Sequence, residues 1–134
     1  MSQFSANLTL MFNEVDFMDR FKLASQNGFE GVEYLFPYDY SADDISQELS
    51  KNGLKQILFD LPAGDWGSGD RGIAVQPDRV GEFQDSVGKA IDYVDALNCK
   101  RITCLAGIPD PNVQADLTRQ TLVDNLKFAA KSLN

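Results

Sequence analysis

Glu33 lies in the run GVEYLFPYDYS, residues 31–41, a carboxylate among apolar and aromatic side chains. An ionised group inside a buried strand is costly unless it is paired or hydrogen-bonded, so the run is either a surface segment or part of a polar site. Two roles stay open for Glu33: one wall of a polar site, or an interior carboxylate paired with a neighbouring group. Asp60 and Asp65 form a second acidic focus, but a hard cation takes about six oxygens and these two do not make a metal site alone. The stretch PAGDWGSGDRGIAVQ, residues 62–76, is long for an internal loop, and such loops are functional or mobile. It reads as closing over a substrate, with Trp66 as an apolar lid and Arg71 as a carboxylate clamp, against a solvated crossover carrying a surface arginine. Phe36, Tyr38 and Tyr40 either shape a small pocket or simply pack.

What is missing narrows the chemistry further. With no histidine among the 134 residues, Ser-His-Asp and Cys-His machinery cannot be assembled, nor can a His-bearing zinc site. Cys99 and Cys104 lack C-x-x-C spacing and read as small buried hydrophobes. A net charge of -8 disfavours a phosphate backbone or an anionic membrane surface as partner. No apolar run approaches the roughly 20 residues of a spanning helix, and the N-terminus has no basic, cleavable leader, so the expected location is cytoplasmic.

Strand-like and helix-like segments alternate along the chain. The spacing predicts strands over 4–10, 31–36, 54–61 and 100–107. Helices are expected from about Asp16 to Gly28, from the SADD capping box at 41–44 to Gly53, from Pro77 through Leu97, and from about Gln114 to Leu133. The third helix carries a core stripe of Val80, Phe83, Val87, Ile91, Val94 and Leu97. The fourth is expected to bury Leu122, Leu126, Ala129 and Leu133. Strands joined through helices imply βαβ crossovers and a parallel sheet. The first strand lacks the Gly-rich turn of a dinucleotide-binding fold, which leaves a barrel, and a complete (β/α)8 barrel takes about 250 residues. The fold class expected is therefore α/β, four βα units with parallel strands, as in the N-terminal half of a TIM barrel. Residues 1–134 are expected to form one incomplete domain.

FSANLTLMF, GFEGVEYLFPYDYS, LFDLPAGDWGSGDRG and LNCKRITCLAG resemble, in order and spacing, the N-terminal half of hydroxypyruvate isomerases, in the xylose-isomerase-like TIM-barrel superfamily. VEYLFPY and PAGDWG are the more specific motifs; GFEGVE is shared widely. The resemblance implies interconversion of hydroxypyruvate and tartronate semialdehyde by proton transfer through an enediolate, assisted by Mg or Mn in the complete enzyme. It also implies that the metal ligands and principal catalytic glutamates lie on strands five to eight, so no catalytic or metal-binding residue and no cofactor is expected in this stretch.

What the resemblance does carry over is one wall of the pocket, at the C-terminal ends of the strands. It consists of Asn7 and Phe12; Glu33, Phe36 and Tyr38; Asp60; the loop residues Gly64, Asp65, Trp66 and Arg71; and Thr103 through Gly107. Asp60 and Thr103 stand where the family often has Asn and His, so fine substrate preference is not inherited. The expected ligand is a small hydroxy-oxo acid or sugar. An endonuclease-type barrel of the same superfamily is disfavoured by the acidic charge and the missing histidines. Open edges at strands one and four predict self-association, with Leu8, Leu10, Val32, Leu58 and Ile102 as candidates for the face involved. The alternative is a non-catalytic binding or assembly half-domain. The end KFAAKSLN, without a following loop or capping glycine, leans toward a truncated chain.

Overall fold

The computed structural model describes residues 4–133. The described residues up to Asp60, together with Asp92–Thr103, form one compact unit; Leu61–Ile91 and the described residues from Cys104 onward form a second.

The first unit holds the sheet. Its strands β1 (Ser5–Asn7), β2 (Gly31–Glu33), β3 (Lys55–Asp60) and β4 (Ile102–Thr103) pair in parallel in the order β1-β2-β3-β4. Helices α1 (Phe17–Gln26) and α2 (Ala42–Asn52) make the crossovers between the first three strands. This is the parallel βα architecture expected from the alternation of segments.

The strands are shorter than the apolar runs that encode them. Leu8 still donates to Glu33 O at 2.8 Å, but Leu10 and Met11 turn back onto Asn7 O, which takes the chain out of the sheet. Leu8 and Val32 are fully buried and so cannot offer an association face, whereas Leu10 is 72% exposed. Gly31 is a packing requirement, because a Cβ there would run into the Ile57 side chain on β3.

Local chemistry sets the helix ends. Ser41 Oγ accepts the Asp44 N–H at 3.1 Å and donates to Asp44 Oδ2 at 2.6 Å, capping α2; Gly53 closes it with φ +65°. Ile45 and Leu49, one turn apart, are the α2 residues buried. The aromatic cluster packs as core: Phe17 meets Phe21 and Tyr34 edge-on and stacks on Tyr40, while Tyr38 meets Phe59 and Tyr93.

The second unit runs from the Leu61–Gln76 segment through a 3-10 turn at Pro77–Arg79 into α3 (Val80–Leu97), which passes into the first unit at Asp92. Phe83, Val87 and Leu97 of the expected α3 stripe are buried, with Val80, Ile91 and Val94 half-buried. Helix α4 (Ala115–Ser132) corrects the sequence expectation. The residues it buries are Thr121, Asn125 and Ala129, while Leu126 is 42% exposed and Leu122 and Leu133 are half-buried. The cause is a polar key: Asn125 Nδ2 donates to Ala74 O at 2.9 Å, and Thr121 Oγ1 to Leu117 O. Satisfying the buried Ala74 carbonyl turns the helix away from its most apolar face. No described helix is long and apolar enough to cross a membrane.

Candidate functional site

Each strand of the sheet ends on a polar residue: Asn7 ends β1, Glu33 β2, Asp60 β3 and Thr103 β4. Because the strands are parallel, these four C-terminal ends lie along the same edge of the sheet. Asn7 is the register partner of Glu33, and Asp60 of Thr103.

Glu33 is half-buried and held from β1 on both oxygens. Ser5 Oγ donates to Oε2 at 2.8 Å and Asn7 Nδ2 to Oε1 at 3.3 Å. Asn7 Oδ1 accepts the Thr9 N–H at 3.0 Å, which fixes the orientation of the amide. This resolves the apparent cost of a carboxylate in the GVEYLF run, since both of its oxygens have donors. Ser5 is missed when candidates are chosen from strand ends alone. It sits two residues before Asn7, and in a strand that spacing returns to the same face.

Asp60 is 7% exposed. Burial pushes its carboxyl above the ordinary aspartate value, the Thr103 side chain pulls it back, and the charge of Glu33 adds to the rise. Tyr38 donates to the Asp60 backbone oxygen at 2.6 Å, so its hydroxyl is committed to positioning β3, and burial holds that phenol well above its ordinary range. Phe36 is half-buried, and Phe12 adopts φ +62° in the turn leaving β1. Among the described residues, no group of three or more His, Cys, Asp or Glu side chains is placed to hold a metal ion. Glu33 and Asp60 alone fall well short of the oxygens a hard cation needs, so this stretch does not by itself fit the metal its resemblance implies.

Gly64, Asp65, Trp66, Arg71 and Gly107 belong to the second unit. Gly72 N–H closes the loop onto Ala63 O at 3.0 Å, making 63–72 an Ω-loop. Within it, Asp65 accepts from Ser68 N–H and Oγ, and Asp65 N–H donates to Asp70 Oδ2 at 2.7 Å. Those hydrogen bonds lower the Asp65 carboxyl, and Arg79 lowers Asp70. Gly72 and Gly107, both at φ +105°, lie back to back where Gly72 bridges Ala106. The Arg71 guanidinium lies 4.0 Å from the centre of the Trp66 ring. Asp70 and Arg79 organise this loop; Asp70 lies within the stretch LFDLPAGDWGSGDRG, whereas Arg79 lies outside every stretch that carries the resemblance.

Two open clefts, of about 440 and 360 Å³, lie at the opposite, N-terminal ends of the strands, where both are lined by Lys55 and Arg101. Neither includes Asn7, Glu33, Asp60 or Thr103.

The family model described as "Xylose isomerase-like TIM barrel" matches residues 21–134. The chain belongs to this family. Within the xylose isomerase-like barrels, it is 47% identical over 133 residues to the hydroxypyruvate isomerase of Escherichia coli, covering 99% of this chain and 52% of that protein. It is 42% identical over 130 residues to the 2-oxo-tetronate isomerase of Pectobacterium atrosepticum, covering 97% and 50% respectively. The crystal structure titled AP endonuclease, family 2, from Brucella melitensis superposes with a TM-score of 0.96 at 44% identity, over 99% of this chain and 51% of that one. The chain thus spans about half the length of the relatives it matches.

Proposed function

We propose that this stretch forms one wall of the active site of a hydroxypyruvate-isomerase-like enzyme acting on small hydroxy-oxo acids. The observation that carries this reading is the row Asn7, Glu33, Asp60 and Thr103, which places polar side chains at the ends of four parallel strands, where barrel enzymes bind substrate. Glu33, fixed by Ser5 and Asn7, orients a substrate hydroxyl by accepting its hydrogen bond. Asp60, whose carboxyl is raised by burial, retains a proton to higher pH than an ordinary aspartate and offers it to a substrate oxygen. Phe12, Phe36 and Tyr38 shape the apolar side of the pocket; for Gly64, Asp65, Trp66, Arg71 and Gly107 a part in substrate binding rests on the family resemblance alone. Such enzymes use a divalent Mg or Mn and a base that moves the carbon-bound proton, and no residue of this stretch is proposed for either role.

The same reading makes residues 1–134 a single half-barrel domain of a cytoplasmic enzyme with neither nucleic acid nor membrane as partner. The exposed apolar residues Leu117, Leu126 and Phe128 on α4, and the outer strands β1 and β4, support association with a second copy. Light scattering that finds only monomer would exclude this association.

The testing experiment replaces the matching stretch of the Escherichia coli hydroxypyruvate isomerase with this chain. A folded chimera that interconverts hydroxypyruvate and tartronate semialdehyde, and loses that turnover on Glu33→Gln, supports the reading. A folded chimera without turnover, while this chain alone binds hydroxypyruvate saturably, favours a non-catalytic binding half-domain.

A further inference from the structure

We infer that Asp70 and Arg79 are positioning residues that hold the Arg71 guanidinium as a docking point for a substrate carboxylate. The inference deepens the function proposed above and rests on it for the identity of the ligand. Its physical basis is separate.

Arg71 is constrained on one edge only. Its Nη1 donates to Asp70 O at 2.6 Å and to Trp66 O at 3.2 Å, and the face of the group lies on the Trp66 ring. Both bonds use Nη1, so among the described residues the Nε and Nη2 edge is left for a ligand. A planar guanidinium presented this way matches a carboxylate by two parallel hydrogen bonds and loses little rotamer entropy on binding.

What fixes that pose is the residue before it. Asp70 supplies the carbonyl that holds Arg71, and its side chain ties the loop down. Asp70 Oδ2 accepts the Asp65 N–H at 2.7 Å and Arg79 Nη2 at 2.8 Å, and it occupies the place a Cβ of Gly64 would take. Arg79 in turn grips Glu82 through Nε at 2.7 Å and Nη2 at 2.8 Å, which anchors it to the start of α3. A chain of contacts therefore runs from Glu82 on α3 through Arg79 and Asp70 to Arg71. With Asp70 and Arg79 each about one quarter exposed, the ion pair is sheltered enough to bind the loop to the helix.

Trp66 is the single tryptophan, so its emission reports this loop alone. The test compares quenching of Trp66 by iodide with quenching by neutral acrylamide in the 134-residue chain. The ratio of the two is expected to fall about twofold in Arg71→Met, because the guanidinium gathers anions at the ring. The decisive variant is Asp70→Ala, which removes a negative charge. A simple field effect raises iodide quenching there, whereas release of Arg71 lowers it. The expected result is a fall in Asp70→Ala and in Arg79→Met, with recovery in Arg79→Lys; a ratio in Asp70→Ala equal to or above that of the unaltered chain overturns the inference. Hydroxypyruvate serves as the carboxylate probe, and its shift of Trp66 emission is expected to weaken in the same two variants. Loss of chimera turnover with the iodide pattern intact would remove the proposed function alone. The converse pattern would remove only this inference.

Discussion

Asp60 and Thr103 face each other as register partners at the last positions of β3 and β4, and the threonine side chain restrains a carboxyl that burial drives upward. A carboxyl whose pKa is higher in the folded than in the unfolded chain contributes stability that is complete below the unfolded value. That contribution is lost as pH rises through the folded one. Asp60→Asn removes the titration. The variant is therefore expected to match the parent near the ordinary aspartate value of 3.8 and to gain on it as pH rises toward neutrality. The gain should reach about 1 kcal/mol, the lower end of the cost of an imperfectly compensated buried polar group. Urea denaturation at a series of pH values measures it, and a gap that stays constant with pH would assign the effect to something other than this ionisation.

The hydrogen bond from Ser5 to Glu33 joins residues 28 apart in sequence across β1 and β2. Ser5→Ala is expected to destabilise the chain by about 1–2 kcal/mol, as for a hydrogen bond to a charged, half-buried group. In Glu33→Gln the same serine change should cost clearly less. A double-mutant cycle in urea should therefore return a coupling of about 1 kcal/mol. Coupling near zero would mean that Glu33 is satisfied by solvent.

How far this arrangement could be read from the sequence depends on the residue. The Ser41 cap, the Gly53 stop and the buried Ile45 and Leu49 follow from local rules that act within one helical turn, while the parallel order follows from whole strands alternating with helices, and all of these were legible. The row Asn7, Glu33, Asp60 and Thr103 was picked out by the family resemblance and not by the apolar runs, which overshoot the strand ends: Leu10 belongs to the first apolar run, yet the chain turns back onto Asn7 before reaching it. The α4 face was misread because hydrophobic periodicity ignores hydrogen bonds. Asn125 looks like a surface residue until the Ala74 carbonyl, 51 residues away, is known to need a donor. The Asp70–Arg79 pair escaped notice for a similar reason, since nothing in a nine-residue spacing between loop and helix specifies a contact.

Gly72 adopts φ +105°, and a Cβ there would collide with the Leu105 carbonyl and the Gly107 nitrogen. Gly72→Ala therefore combines a strained backbone conformation with a clash against main chain that cannot rotate away. Strain of this kind alone costs of order 1–3 kcal/mol. Hydrogen exchange is expected to show faster exchange at Gly72 and Val75, whose N–H groups bond Ala63 O and Ala106 O, with the β1–β2 ladder unaffected. Acceleration spread evenly over both ladders would show that the Gly72 seam does not unfold locally.

Asn125 provides the sharpest separation between the two forces acting on α4. It is 2% exposed, and its amide is donated to Ala74 O in the loop segment before α3. Asn125→Leu keeps the number and branching of the side-chain heavy atoms and adds apolar character, so hydrophobicity alone predicts a more stable chain. The hydrogen bond predicts the opposite, because the substitution leaves the Ala74 carbonyl buried without its donor, at about 1–3 kcal/mol. Ala74 is itself fully buried, so water is poorly placed to replace the amide. We expect Asn125→Leu to lower stability by about 2 kcal/mol in urea denaturation. Asn125→Asp, which keeps the shape but replaces the donor with an acceptor, should lower it further at neutral pH and less at acid pH, where the protonated carboxyl can again donate. A stabilised leucine variant would show that burial of the helix face, rather than the Ala74 contact, sets the rotation of α4.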